Sequence, residues 1–211
     1  MKHYKFLGFI ALGIAISTTA QVSVAVKANA LLPSADGKWK NLSETLGTAY
    51  TEKGKNNIGY NIGLSAKIKI SPSFFLMPEA YYTTSNSKFT EPLTNTTLEA
   101  LSNRVDVPIL VGTPLIGNYL EIVAGPVASY KLSKENKYND FKEKAKSQFT
   151  VGYQFGAQIQ VDKVLFNARY EGAFQQDQRE YINTAIAKQS DYVIRYDNRQ
   201  SLIWIGIGYQ L

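Results

Sequence analysis

The sequence predicts an all-β fold: an eight-stranded antiparallel up-and-down transmembrane β-barrel, preceded by a cleaved signal peptide. Three observations predict it. Apolar and polar residues alternate with period 2 over stretches longer than the ~5–6 residues of an ordinary strand. The connections between those stretches alternate long and short. Tyr and Phe, 14 and 10 in number, gather toward the strand ends.

The N-terminus comes first. Met1–Lys5 is basic, 6–16 is apolar, and 17–20 is a run of small residues ending at Ala20. That is the order of a bacterial secretory signal. Ala28-Asn29-Ala30 offers a second small-residue cleavage site. Cleavage after Ala20 is preferred, because Val22, Val24, Val26, Ala28 and Ala30 already alternate with Ser23, Ala25, Lys27 and Asn29. Losing that stretch would leave an odd number of strands. The predicted domains are therefore the signal peptide, 1–20, and the barrel, 21–211.

The first strand is placed at 21–32, and a long polar connection, 33–57, follows. The second strand, 58–70, turns Tyr60, Ile62, Leu64, Ala66, Ile68 and Ile70 to one face and Gly59, Asn61, Gly63, Ser65, Lys67 and Lys69 to the other. Ser71-Pro72-Ser73 is a tight turn. The third strand, 74–85, carries Leu76, Pro78, Ala80 and Tyr82 outward and Phe75, Met77, Glu79 and Tyr81 inward. A long loop at 86–103 is expected to hold a short helix at 96–101. The fourth strand, 104–113, alternates Val105, Val107, Ile109 and Val111 with Arg104, Asp106, Pro108 and Gly112. A turn at 114–118 leads to the fifth strand, 119–132, and a charged loop spans 133–148.

The sixth and seventh strands, 149–174, are the clearest. Phe149, Val151, Tyr153, Phe155, Ala157, Ile159 and Val161 share a face opposite Thr150, Gly152, Gln154, Gly156, Gln158 and Gln160. A two-residue turn, Asp162-Lys163, makes Val161 and Val164 a cross-strand pair. Phe166, Ala168 and Tyr170 continue the apolar face against Asn167, Arg169 and Glu171. A last long loop, 175–200, precedes the eighth strand, 201–211.

Long loops at one end, short turns at the other, an even strand number and an apolar outside are the plan of an outer-membrane barrel. Closure also removes the sheet edges that lipid cannot satisfy. Tyr60, Tyr82, Tyr130, Phe149 and Tyr170 fall at loop ends, where amphipathic rings favour the headgroup level. Pro78, Pro108 and Pro126 interrupt strands and are expected to mark bulges or breaks.

Four stretches carry a resemblance: Met77-Pro78-Glu79-Ala80-Tyr81-Tyr82, Val105–Val111, Ala124-Gly125-Pro126-Val127-Ala128-Ser129-Tyr130, and Ala168-Arg169-Tyr170-Glu171. They resemble the small outer-membrane β-barrel domain of Bacteroidetes called PorT-like, and the plan is similar to OmpX-type barrels. The resemblance implies an outer-membrane location and carries over no catalytic residue. It implies a link to protein secretion machinery for some members. The terminal Leu211 departs from the frequent terminal Phe.

The chemistry of the chain excludes much. There is no Cys, and the single His is His3, inside the signal. Thiolate and imidazole metal sites, disulfides and His-based acid–base catalysis are closed routes. No cofactor, metal or catalytic residue is expected. Removing Lys2 and Lys5 takes the 23 Lys and Arg to 21 against 17 Asp and Glu, net +4. That excess is too small and scattered for nucleic acid.

The inward charges are Lys67, Lys69, Glu79, Arg104, Asp106, Glu121, Arg169 and Glu171. They read as a paired network filling the lumen or as an ion path, and an eight-stranded barrel leaves room for little beyond side chains. The lysines between Lys134 and Lys146 form a solvated face or meet anionic lipopolysaccharide or a partner. Tyr181, Ile182, Ile186, Tyr192, Val193 and Ile194 exceed what a solvated loop needs. They either extend the seventh and eighth strands above the membrane or form a docking surface.

The reading is a non-enzymatic envelope component in the bacterial outer membrane. It sits in lipid, as a monomer or within a membrane complex, with lipopolysaccharide and envelope proteins as partners. A small-solute pore is one alternative. A secreted, soluble lipid-binding barrel is the other, and it would reverse the inside and outside faces.

Overall fold

A computed structural model of the chain describes residues 21–34, 38–42, 51–53, 55–91, 95–117, 119–132, 137–138, 141–145, 148–174, 177–183, 193–198 and 201–211. The predicted signal peptide lies outside them. In chain order the first strands are β1 (Val22–Pro33), β2 (Lys38–Asn41), β3 (Thr51–Lys53), β4 (Lys55–Asn56) and β5 (Gly59–Lys69). Next come β6 (Phe75–Thr90), β7 (Thr97–Ile116), β8 (Leu120–Lys131), β9 (Lys137–Tyr138) and β10 (Phe141–Ala145). The last are β11 (Phe149–Val161), β12 (Val164–Ala173), β13 (Asp177–Asn183), β14 (Val193–Asn198) and β15 (Leu202–Gln210).

Eight of these strands close a barrel in the circular order β1-β5-β6-β7-β8-β11-β12-β15, with β15 returning to β1. Every neighbouring pair is antiparallel. Closure pairs both edges, so the wall presents no open sheet edge to hydrocarbon. The hairpin register is the one the two-residue turn dictates, with Val161 opposite Val164. Asp162 takes φ +52° in that turn, a conformation its short side chain tolerates.

Period 2 sends alternate side chains to opposite faces. Ile62, Leu64, Ile109, Val111, Phe155, Phe166, Ile205 and Ile207 are exposed on the outside. Lys27, Asn29, Asn61, Ser65, Glu79, Asp106, Gln158 and Asn167 are buried inside. The faces are thus apolar outside and polar inside, the reverse of a soluble lipid-binding barrel.

Two expectations are corrected. Residues 97–101, expected in a helix, form the start of β7, paired with β6 from Thr90–Thr97 to Ser85–Ser102. The composition of Thr97-Leu98-Glu99-Ala100-Leu101 permits a helix, but the cross-strand partner overrides so weak a preference. The prolines neither bulge nor break their strands. Pairing lapses at Pro78 between Ser65–Glu79 and Ile68–Leu76, at Pro108 between Pro78–Ile109 and Tyr81–Asp106, and at Pro126 between Pro108–Val127 and Val111–Ala124. The register is the same on both sides of each lapse. The rungs are lost because proline has no N–H to give.

The loops between barrel strands carry a second sheet, in the order β3-β2-β14-β13-β10-β9. It continues the barrel wall beyond its loop end. β2 and β14 extend the β1–β15 pair, and β13 and β14 extend β12 and β15. On the other side the β6–β7 hairpin rises to Thr90 and Thr97. A cluster of Trp39, Phe89, Leu98, Ala100, Phe141, Tyr181, Ile194 and Tyr196 fills the space between them.

Candidate functional site in the barrel lumen

The inward positions of β6 are Phe75, Met77, Glu79, Tyr81 and Thr83, all buried. Glu79 lies at their centre. Its Oε1 accepts from Lys27 Nζ on β1 at 2.8 Å and from Arg169 Nη2 on β12 at 3.1 Å. Its Oε2 accepts from Arg169 Nη1. β6 and β12 are four places apart in a ring of eight, so this contact spans the diameter. Lys27 Nζ also donates to Gln158 Oε1 at 2.6 Å.

Two further clusters lie above and below. Toward the loop end, Arg104 Nε stands 2.9 Å from the Asp106 carboxylate, and Arg104 Nη2 donates to Glu171 Oε1 at 3.0 Å. Thr83 donates to Asp106 at 2.6 Å and Gln154 to Glu171 at 2.8 Å. Toward the turn end, Lys67 pairs with Glu121, which also accepts from Gln158 Nε2 at 3.3 Å. Gln158 therefore links the central and turn-side clusters. Lys27, Lys67, Arg104 and Arg169 balance Glu79, Asp106, Glu121 and Glu171. Buried ions of this kind persist only when paired and hydrogen-bonded.

Of the predicted lumen charges, Glu79 and Arg169 meet directly, as do Arg104, Asp106 and Glu171, while Glu121 meets Lys67. Lys69 does not join them: it is exposed at the turn-side rim. Lys27 was missing from the predicted network, although the first strand's alternation with Val24 and Val26 puts it inward.

The second sheet changes the reading of the last loop. Tyr181 and Ile194 are fully buried in the aromatic cluster, so these two are not part of a docking surface. Ile182 is half-buried and pairs with Val193, while Ile186 and Tyr192 lie outside the described residues. Trp39 is the keystone of the cluster. Its ring centroid lies 5.2 Å from Phe89, stacked, 4.5 Å from Tyr196 and 5.3 Å from Tyr181. Tyr181 Oη donates to the Glu99 carbonyl at 3.1 Å. Arg179 Nη1 donates to the Leu101 carbonyl at 2.9 Å and to Glu143 at 2.8 Å. These bonds tie the second sheet to β7, above the lumen charges.

A closed antiparallel barrel with an apolar belt and a filled polar interior defines a small integral protein of the bacterial outer membrane. The chain belongs to the family of the outer membrane protein beta-barrel domain, which its residues 8–176 match. No curated protein sequence matches it. Among solved structures it is similar to the outer membrane protein OprG from Pseudomonas aeruginosa. That match has 12% identity and a TM-score of 0.65, covering 90% of this chain and 95% of that one. It is also similar to the outer membrane protein AlkL in lipid bilayers, at 8% identity and a TM-score of 0.50 over 90% of each chain. At these identities the likeness is one of fold.

Proposed function

We propose that the protein is a non-conducting, non-enzymatic outer-membrane barrel, acting as a structural or protein-interaction component of the envelope. The contact of Glu79 with Arg169 across the full diameter carries this reading. An ion entering from either end would have to break it, and the Lys27–Glu79 pair beside it. The buried cap around Trp39 supports the same conclusion from the loop side. Interaction then belongs to the surface above the membrane, where Lys142 and Lys38 are exposed and suited to anionic lipopolysaccharide. Envelope proteins, secretion machinery among them, are the partners to seek by co-purification. Cleavage after Ala20 fits this reading: β1 pairs with β5 from Val22 and with β15 from Ala25, and cutting after Ala30 would remove most of it. N-terminal mass determination on the exported protein tests that point.

Planar-bilayer recording tests the main reading. The purified protein is expected to insert without a steady conductance. A large, steady conductance that responds to charge reversal at Glu79 or Arg169 would establish a pore instead.

A further inference from the structure

We propose that the turn-side mouth of the barrel is a binding site for a short peptide segment ending in a free carboxylate. The mouth opens into a vestibule of about 540 Å³, lined by Gln21, Gln160, Gln210, Tyr119, Asp162 and Lys69 among others. That volume lies within the roughly 300–1,000 Å³ of small-ligand sites. Beneath it the space between Lys27, Lys67, Met77 and Gln158 shrinks to about 10 Å³. A void of that size holds about one water. The vestibule is therefore blind: a ligand that enters it must leave the same way.

Its chemistry selects the ligand. Gln160 Nε2 donates to Gln210 Oε1 at 2.7 Å and to the Asp162 carbonyl at 3.0 Å. Both donors of Gln160 are thus used. Gln160 Oε1 and Gln210 Nε2 keep no protein partner among the described residues. One free acceptor beside one free donor is the complement of a peptide group, with its N–H and its carbonyl. Lys67 spends its charge on Glu121. Lys69 lines the vestibule, is exposed, and pairs with no carboxylate among the described residues. An ammonium at the rim beside peptide-like amides is suited to a chain end, where a carboxylate follows the last peptide group. The short-turn end of an outer-membrane barrel faces the periplasm, so the segment comes from there.

The site rests on the closed lumen of the reading above, but its test is separate from conductance. The full barrel is refolded in micelles and titrated with acetyl-trialanine bearing a free carboxylate, then with the same peptide as its C-terminal amide. Side-chain amide resonances of Gln21, Gln160 and Gln210 are followed by NMR. Saturable shifts are expected with the acid, and binding about tenfold weaker with the amide, as for loss of a charge-assisted bond. Lys69→Gln, at an exposed rim position, is expected to weaken the acid by a similar factor and leave the fold intact. The proposal is overturned by absent shifts at millimolar peptide. It is equally overturned if acid and amide bind alike, or if acetate alone binds as well as the peptide.

Discussion

Arg169 and Glu79 stand on opposite walls of the barrel, ninety residues apart in sequence, and join across its axis through both guanidinium Nη atoms. Lys27 shares the same carboxylate at 2.8 Å. One carboxylate therefore pairs with two buried cations, and the stability of the lumen is concentrated on it. Glu79→Gln is expected to cost about 3–5 kcal/mol, because it strands both cations without a counter-charge. The measurement is the urea midpoint for unfolding from micelles. Replacing Lys27, Glu79 and Arg169 together by Met is expected to recover most of the loss, since no ion of that central cluster then remains.

The cap is expected to unfold separately from the wall. Trp39→Ala removes a fully buried ring from the cluster, a change that costs about 3–5 kcal/mol in a packed core. Of the eight wall strands, only the upper ends of β6 and β7 touch that cluster, through Phe89, Leu98 and Ala100; the charged lumen lies below it. Trypsin cleavage next to Lys38 and Lys40 is expected to accelerate, while the barrel keeps its folded electrophoretic mobility when unboiled. Simultaneous loss of that mobility would show one cooperative unit.

The wall itself tolerates no added atom at Gly63. A Cβ there would lie 2.0 Å from the Ala80 carbonyl oxygen, which belongs to the backbone and cannot swing aside. Gly63→Ala is expected to lower the folded fraction sharply in refolding assays read by the shift on boiling. Leu64→Ala, next in sequence on the lipid face, is expected to fold normally.

The proline row predicts a gradient of hydrogen exchange. The β11–β12 ladder is continuous from Gly152–Ala173 to Val161–Val164. The β5–β6, β6–β7 and β7–β8 ladders lapse at Pro78, Pro108 and Pro126 in turn. Amides of Ala66, Glu79 and Ile109, each opposite a proline, are expected to exchange faster than those of Phe155, Ala157 and Ala168. Equal protection would mean that the missing rungs are replaced by other bonds.

Most of the wall was legible because a strand's in–out alternation is a local property. Residues 149–161, β11, needed nothing beyond period 2 and a two-residue turn. Lys27 was legible by the same rule, since the first strand's alternation with Val24 and Val26 carries it inward. The cap was not legible. Trp39, Phe141, Tyr181 and Tyr196 sit in short strands within polar loops, where alternation over a few residues carries little signal. They become a core only when β2, β13 and β14 stack above the barrel and Phe89 arrives from β6.

By itself the sequence determined eight barrel strands, the two opposite faces of each, and the rhythm of loops and turns. Those follow from a backbone that alternates its side chains and from solvent on one side being hydrocarbon. Only the tertiary structure decided which charges meet. Glu79 could have paired with any inward cation at its level. The closed ring put β12 opposite β6, and the register of each hairpin brought Arg169 to the same height. Partner choice across a lumen depends on closure and register together, and neither is a property of one strand.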